Sequence, residues 1–205
     1  RDHPLNILAK MSTIAGRLAF DDALKQCQRD PIQNILIIGF GSAGQAAFAR
    51  ACAAGFKPTV ALTNQHLSAT ITAAQGGVIL LNPDDDIIAQ RQQLSNAVIN
   101  ADIIITSARR PQQSAPLLID STLLQQMHKG AVIVDLAISE GGNVLGSQHD
   151  QTMTTDNGVL ISNVSGYPKA EPRAASIQWS AASRHFVELW QQQAQHPDIN
   201  NAKIS

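Results

Sequence analysis

The chain reads as an α/β protein, a doubly wound parallel sheet flanked by N-terminal and C-terminal helices. Three features predict this. Short continuous apolar runs, such as Ile35-Leu36-Ile37-Ile38 and the stretch from Asp102 to Thr106, suit parallel strands buried on both faces. Segments with helical spacing separate the runs, so strand and helix alternate as parallel crossovers require. The first run passes directly into Gly39-x-Gly41-x-x-Gly44, which opens a helix of small and apolar residues. In that spacing Gly39 permits the tight turn, Gly41 leaves room for a pyrophosphate, and Gly44 lets the helix close on the strand. The N–H groups from about Ser42 and Ala43 onward are then placed to carry phosphate charge.

In chain order, residues 1–11 are expected to form an irregular or extended lead-in. Ser12 is the expected cap of a helix from about Thr13 to Gln28, with Ile14, Ala15 and Leu18 on one face. Asp30 and Pro31 end it and feed the first strand. The second strand is Thr59 to Leu62, followed by a helix from about His66 to Ala74 and a third strand, Val78 to Leu81. Pro83 and the run Asp84-Asp85-Asp86 suit a helix start, the helix running to about Ile99. Capping and solvation account for that acidic run better than metal binding. Strand four is Asp102 to Thr106, and a breaker-rich loop, Ser107 to Pro116, leads to a short helix from Leu118 to Met127. Strand five is Ala131 to Leu136, then a glycine-rich loop and a sixth strand, Gly158 to Ile161. The last helix runs from Arg173 to about Gln195, with Ala174, Ile177, Ala181, Phe186 and Leu189 spaced to face a core.

Composition narrows the function. A chain of 205 residues, 44% hydrophobic, is long enough for one full core. A formal charge of −1 argues against nucleic acid as the main partner, which calls for a basic face. Cys27 and Cys52 fall in predicted helices without metal-ligand spacing, as expected of a reduced, cytoplasmic protein. No signal peptide is read, and no apolar run approaches the roughly 18 residues of a membrane span. A start at Arg1 rather than Met reads as missing N-terminal sequence. No Ser-His-Asp or Cys-His pattern sits in a nucleophile-elbow context and there is no Walker A lysine, so hydrolase and kinase readings lack a warrant.

In such a sheet, ligands bind beyond the carboxyl ends of the strands, where the strand order reverses. The loops expected there are 39–44, 63–65, 106–110, 135–143 and 162–168. At the end of strand two stand Leu62, Thr63 and Asn64, where an NAD-preferring site places a carboxylate for the ribose hydroxyls. The residues suit relaxed preference, acceptance of a 2′-phosphate, or an unused site. No Arg or Lys follows immediately, which weakens the NADP case. Asp135 reads equally as a group beside a nicotinamide, orienting it or coupling to proton transfer, and as a cap for the glycine loop. Arg109 and Arg110 read either as a bidentate anion clamp or, more commonly for such a pair, as solvated surface. His3 and His128 have no spacing for a metal. Tyr167 reads as a stacking platform or as packing, and Trp179 and Trp190 as core or interface.

Together these stretches carry a resemblance. The chain resembles the nucleotide-binding domain shared by alanine dehydrogenases and the alpha subunit of proton-translocating nicotinamide nucleotide transhydrogenase. Residues 8–17, L-A-K-M-S-T-I-A-G-R, are similar to the family's L-x-P-M-S-x-x-A-G-R, with Lys10 in place of proline. Residues 39–44, G-F-G-S-A-G, are similar to G-A-G-V-A-G, and residues 105–116 follow the T-T-A-x-x-P-G-x-x-A-P loop. The strongest likeness is residues 129–143, K-G-A-V-I-V-D-L-A-I-S-E-G-G-N, to K-P-G-S-V-I-V-D-L-A-x-E-x-G-G-N. The G-G-N ending and T-D-N-G-V-L-I at 155–161 lean toward the transhydrogenase branch.

The resemblance implies a Rossmann-type domain binding NAD or NADP for hydride transfer, preceded by a separate first domain. Residues 1–30 are then a lead-in and hinge helix, 31–170 the dinucleotide-binding domain, and 171–205 a helix packing back toward the first domain. By the same likeness Asp135 is the family's strand-five aspartate, and Gly41, Ser42 and Ala43 belong to the pyrophosphate loop. Thr106, Ser107 and Ala108 match the strand-four cofactor contact, and Leu136 and Ala137 lie beside the nicotinamide. In alanine dehydrogenases the first domain supplies a catalytic histidine and lysine, which this chain lacks. Three departures stand out: no ribose carboxylate near Leu62, Gly166 in place of a cleft-loop asparagine, and Asn6 and Ala9 in place of an Asp and a Ser. Each removes a polar contact that orients the ring, and a displaced ring costs hydride transfer steeply. The resemblance also implies a homodimer or a membrane-anchored transhydrogenase partner subunit. The alternative from another class is a non-catalytic dinucleotide-binding, sensing or scaffold domain.

Overall fold

The computed structural model describes residues 6–110 and 112–192. Seven strands form one sheet: β1 (Ile35–Ile38), β2 (Thr59–Leu62), β3 (Gly77–Leu80), β4 (Ile103–Thr106), β5 (Val132–Asp135), β6 (Thr152–Thr154) and β7 (Leu160–Ser162). Their order is β3-β2-β1-β4-β5-β7-β6, parallel throughout except for β6, which runs antiparallel to β7. The chain winds outward from β1 in both directions, so β1 pairs with β2 on one side and β4 on the other. A crevice opens where connections leave β1 and β4 toward opposite faces. The predicted doubly wound Rossmann-type sheet is the observed one.

The helices are α1 (Ile7–Gln26), α2 (Ser42–Ala53), α3 (Ser68–Ala73), α4 (Ile87–Ile99), α5 (Ser121–Gln126), α6 (Tyr167–Ala170) and α7 (Pro172–Gln192). Period-two alternation splits each buried strand between the sheet's two faces. Leu36, Ile38, Ile104 and Ile133 pack with Leu94 and Val98 of α4 and Leu123 and Leu124 of α5. Ile35, Ile37, Ile103 and Val134 pack on the other face with Phe20 of α1 and Ala47 and Phe48 of α2. Both faces are apolar and covered, which is why β1, β4 and β5 lack polar alternation.

Several boundaries differ from the sequence expectation, each for a local reason. α1 begins at Ile7 rather than after Ser12, because the Asn6 carboxamide oxygen accepts from the Ala9 N–H at 3.0 Å and caps it. Asp86 caps α4 through the Ala89 N–H at 2.8 Å, so one member of the acidic run is a cap. α5 starts at Ser121, capped by Asp120, because the Leu118 and Ile119 N–H groups are committed to the Asn143 carbonyl. The edge strand β6, the one-turn α6 and a single 3-10 turn at Ile138–Glu140 went unforeseen. Along α7 the expected core face is largely open, with Ile177 and Trp179 57% and 58% exposed, while Ala182 is buried. Trp190 is also exposed, so neither tryptophan is a core residue. His3 and the expected helix end at 193–195 lie outside the described residues. Among the described residues no helix is long and apolar enough to cross a membrane.

Candidate functional site

A cleft of about 1150 Å³ opens at the carboxyl ends of β1, β2, β4 and β5. Its floor is the glycine turn between β1 and α2, and each glycine is required differently. Gly39 has φ +94°, and a Cβ there would lie 2.8 Å from the Ala108 amide nitrogen, so the loop after β4 crosses directly over the turn. A Cβ on Gly44 would sit 2.0 Å from the Gly39 carbonyl oxygen, which fixes how closely α2 approaches β1. A Cβ on Gly41 would meet nothing within 4 Å. That position is open because the cleft begins there. Gly41 caps α2 without a side-chain bond, and the first intrahelical bond runs from the Gln45 N–H to the Gly41 carbonyl at 2.9 Å. The preceding amides of Ser42, Ala43 and Gly44 are therefore orphan donors of the helix end.

Beyond β4 and β5, Asp135 organises the wall. Its side chain is fully buried. One carboxylate oxygen accepts from the Thr106 hydroxyl at 3.0 Å and the Ala137 N–H at 2.9 Å, and the other from the Asn143 N–H at 2.9 Å. Asn143, also fully buried, accepts from the Ala108 N–H at 3.0 Å and donates to the carbonyls of Ala108 and Pro116 at 3.0 and 2.9 Å. The Ala115 N–H adds a bond to the Glu140 carbonyl, and Arg109 pairs with the Glu140 carboxylate at 2.8 Å. Two cleft loops are thus fastened to each other through Asn143 and to the sheet through Asp135. The opposite support is α1, whose Gly16 lies against Ala43. Arg17 pairs with Glu171, Asp21 with Arg50 at 2.7 Å, and Asp22 accepts from the Tyr167 hydroxyl at 2.9 Å.

The sequence profile described as alanine dehydrogenase/PNT, C-terminal domain, matches residues 29–205. The chain belongs to this family. It is 28% identical over 215 residues to the NAD(P) transhydrogenase subunit alpha of Cereibacter sphaeroides, covering 91% of this chain and 41% of that protein. It is 30% identical over 190 residues to the alanine dehydrogenase of Bacillus subtilis, covering 84% of this chain and 49% of that one. The chain thus spans about half the length of the curated relatives it matches. The fold is that of a transhydrogenase from Sinorhizobium meliloti, with TM-score 0.84, 23% identity, and coverage of 95% of this chain and 59% of that one. It also matches an L-alanine dehydrogenase at TM-score 0.78 and 25% identity, covering 93% of this chain and 55% of that one.

Within this alanine dehydrogenase/PNT domain the expected residues separate into two groups. Gly39, Gly41, Ser42, Ala43, Thr63, Asn64, Ser107, Ala108 and Leu136 line the cleft. Gly44, Thr106, Asp135 and Ala137 lie behind that surface, buried. With every carboxylate oxygen of Asp135 engaged by a neighbour, the geometry is that of the loop cap. Gly166 does not line the cleft. It is the N-cap of α6, where the nearest side chain to its open face is Lys169. Tyr167 is buried against α1, and burial together with its bond to Asp22 holds its hydroxyl proton far above the usual range. That is packing rather than a stacking platform.

Leu62 is buried, and Asn64 spends its side-chain oxygen on the His66 N–H at 3.1 Å. Ala9 and Ser12 of α1 reach the cleft, as do Leu67, Leu81 and Pro83. Sequence reasoning passed over Asn143 as a functional residue. Its signal was the polar residue directly after Gly141-Gly142, both at positive φ. It also passed over Glu140, which lines the cleft and pairs with Arg109. Among the described residues no group of three or more His, Cys, Asp or Glu is placed to hold a metal.

Proposed function

We propose that this chain is the nicotinamide-dinucleotide-binding domain of an oxidoreductase of the alanine dehydrogenase and transhydrogenase alpha type. The observation that carries the reading is the cleft at the switch point, with its floor left open at Gly41 and facing the uncapped start of α2. The residues fit such a cofactor. The Ser42, Ala43 and Gly44 amides offer unspent donors to a pyrophosphate. Leu67, Leu81 and Pro83 offer an apolar wall for an adenine ring, while Ser107, Leu136, Ala9 and Ser12 border the opposite part of the cleft. When bound, the nicotinamide ring gives or takes the hydride.

The chain's own residues bind and orient. Asp135 acts through Thr106, Ala137 and Asn143, setting the wall against which a ring rests, and does not itself reach the cleft surface. Among the described residues lining the cleft the one carboxylate is Glu140, which is paired with Arg109. Hydride transfer therefore calls for acid–base groups and a substrate surface from another domain, and a second copy or a membrane-anchored transhydrogenase subunit suits the family. That same scarcity of free acid–base groups favours the second reading, a dinucleotide-binding module without chemistry of its own. Calorimetric titration of the 205-residue chain with NADH and NADPH tests the binding both readings share. Saturable micromolar binding of either supports it, and no binding of either refutes it.

A further inference from the structure

We infer that the cleft prefers the dinucleotide carrying a 2′-phosphate, NADP(H), and that Arg110 supplies the charge that selects it. This rests on the dinucleotide reading above and names the cofactor class. Charge at the cleft comes from Arg109, Arg110 and Glu140 alone among the described residues lining it. Arg109 is neutralised by Glu140 at 2.8 Å. Arg110 is half-buried and lines the cavity, and its guanidinium has no side-chain or backbone partner among the described residues. The site therefore holds one uncompensated positive charge.

The amides at the start of α2 already answer the pyrophosphate with neutral donors, so the guanidinium answers a further anionic group. The end of β2 points to which group. There Leu62 is buried and Thr63 and Asn64 are exposed, and no carboxylate stands to bind ribose hydroxyls or repel a phosphate. Adjacent strands lie about 4.8 Å apart, so the ends of β2 and β4 are about 10 Å apart on either side of β1. Arg110 follows Ala108, which packs directly on Gly39 between those two ends. An extended arginine and a phosphate together fill that gap. The countercharge usually sought just after strand two is supplied here from the loop after strand four. Arg also suits the task by geometry, since its planar fork meets phosphate oxygens two at a time.

The test is titration of the parent chain, Arg110→Gln and Arg110→Lys with NADPH and NADH at two ionic strengths. The parent should bind NADPH at least tenfold more tightly than NADH, as one charge-assisted phosphate contact implies. Arg110→Gln should remove most of that ratio while changing NADH affinity less than about threefold, and Arg110→Lys should restore part of it. The ratio should also shrink in high salt. Equal or tighter NADH binding by the parent overturns the inference and leaves the dinucleotide reading standing. Equal weakening of both cofactors by Arg110→Gln also overturns it, placing the arginine on the pyrophosphate. No binding of either cofactor overturns both.

Discussion

Replacing Gly16 by alanine tests how α1 sets the phosphate loop. A Cβ at this position would lie 1.9 Å from the Ala43 carbonyl oxygen, 2.6 Å from its carbon and 2.8 Å from its Cα. All three are backbone atoms, so no side chain can rotate away. Restoring ordinary contact at 3.4 Å requires α1 and the start of α2 to part by about 1.5 Å, the difference between 3.4 and 1.9 Å. Overpacking of this kind costs about 1–3 kcal/mol and more when backbone must move. Alanine's better helix propensity returns up to about 1 kcal/mol. We expect a net loss of about 2–3 kcal/mol, or roughly 4–12 °C in Tm for a domain of this size. Ala43 belongs to the cofactor loop, so dinucleotide affinity should fall as well. Urea unfolding with and without NADPH measures both effects. A Gly16→Ala chain as stable as the parent would show that helix propensity outweighs the contact, and the close packing of α1 on α2 would lose its role.

Gly41→Ala should separate folding from binding: its Cβ meets nothing and its φ of −76° suits alanine, so stability should stay within about 1 kcal/mol of the parent while dinucleotide affinity drops. Equal affinity in calorimetry would place the pyrophosphate elsewhere. Asn143→Ala strips bonds from the Ala108 N–H and from the carbonyls of Ala108 and Pro116, for a loss of roughly 2–4 kcal/mol. Hydrogen exchange should show the Ala108 amide losing protection before the strands do. Asp102 governs acid behaviour. Burial pushes its carboxyl up, but the N–H groups of Asn34 and Gln33 and the Arg29 guanidinium outweigh this and hold it below the usual carboxylate range. Its contribution is therefore full above the unfolded pKa of about 3.9 and is lost as pH falls through the lower folded value. Denaturant midpoints of the parent should fall below about pH 4, and Asp102→Asn should lower the neutral-pH midpoint and flatten that fall.

The sheet was legible because its causes are local and repeated. The apolar runs at Ile35–Ile38, Ile103–Thr106 and Val132–Asp135 have no polar alternation, and only a strand covered on both faces tolerates that. The glycine turn was legible for a similar reason, since the positive φ of Gly39 and the contact of Gly44 with the Gly39 carbonyl are set within the turn itself. The elements that went unforeseen answer to distant partners. β6 is three residues of Thr-Met-Thr that gain strand geometry only by pairing with β7. A distant partner also shifts the foreseen α5, which starts late because Leu118 and Ile119 are held by Asn143, some 25 residues on.

The cleft shows the same division. The glycine turn and the loops after β2, β4 and β5 meet the cavity as the fold class leads one to expect, whereas Gly44, Thr106, Ala137 and Gly166 do not line it. Which side chains remain free to act there did not follow from the fold class. Asp135 reads in sequence as an acid at a strand end, equally fit for chemistry or for capping. Folding buries it and surrounds it with the Thr106 hydroxyl and the Ala137 and Asn143 amides, so both of its oxygens are engaged away from the cleft. Arg109 and Arg110 are indistinguishable neighbours in the chain, until the loop from β5 brings Glu140 against one and leaves the other open to the cleft. Sequence by itself determined the sheet, its order-reversing crevice and the glycine floor, because period, apolarity and backbone freedom act over a few residues. Tertiary structure alone decided which charges are spent, because a hydrogen bond or ion pair depends on what a distant segment brings within 3 Å.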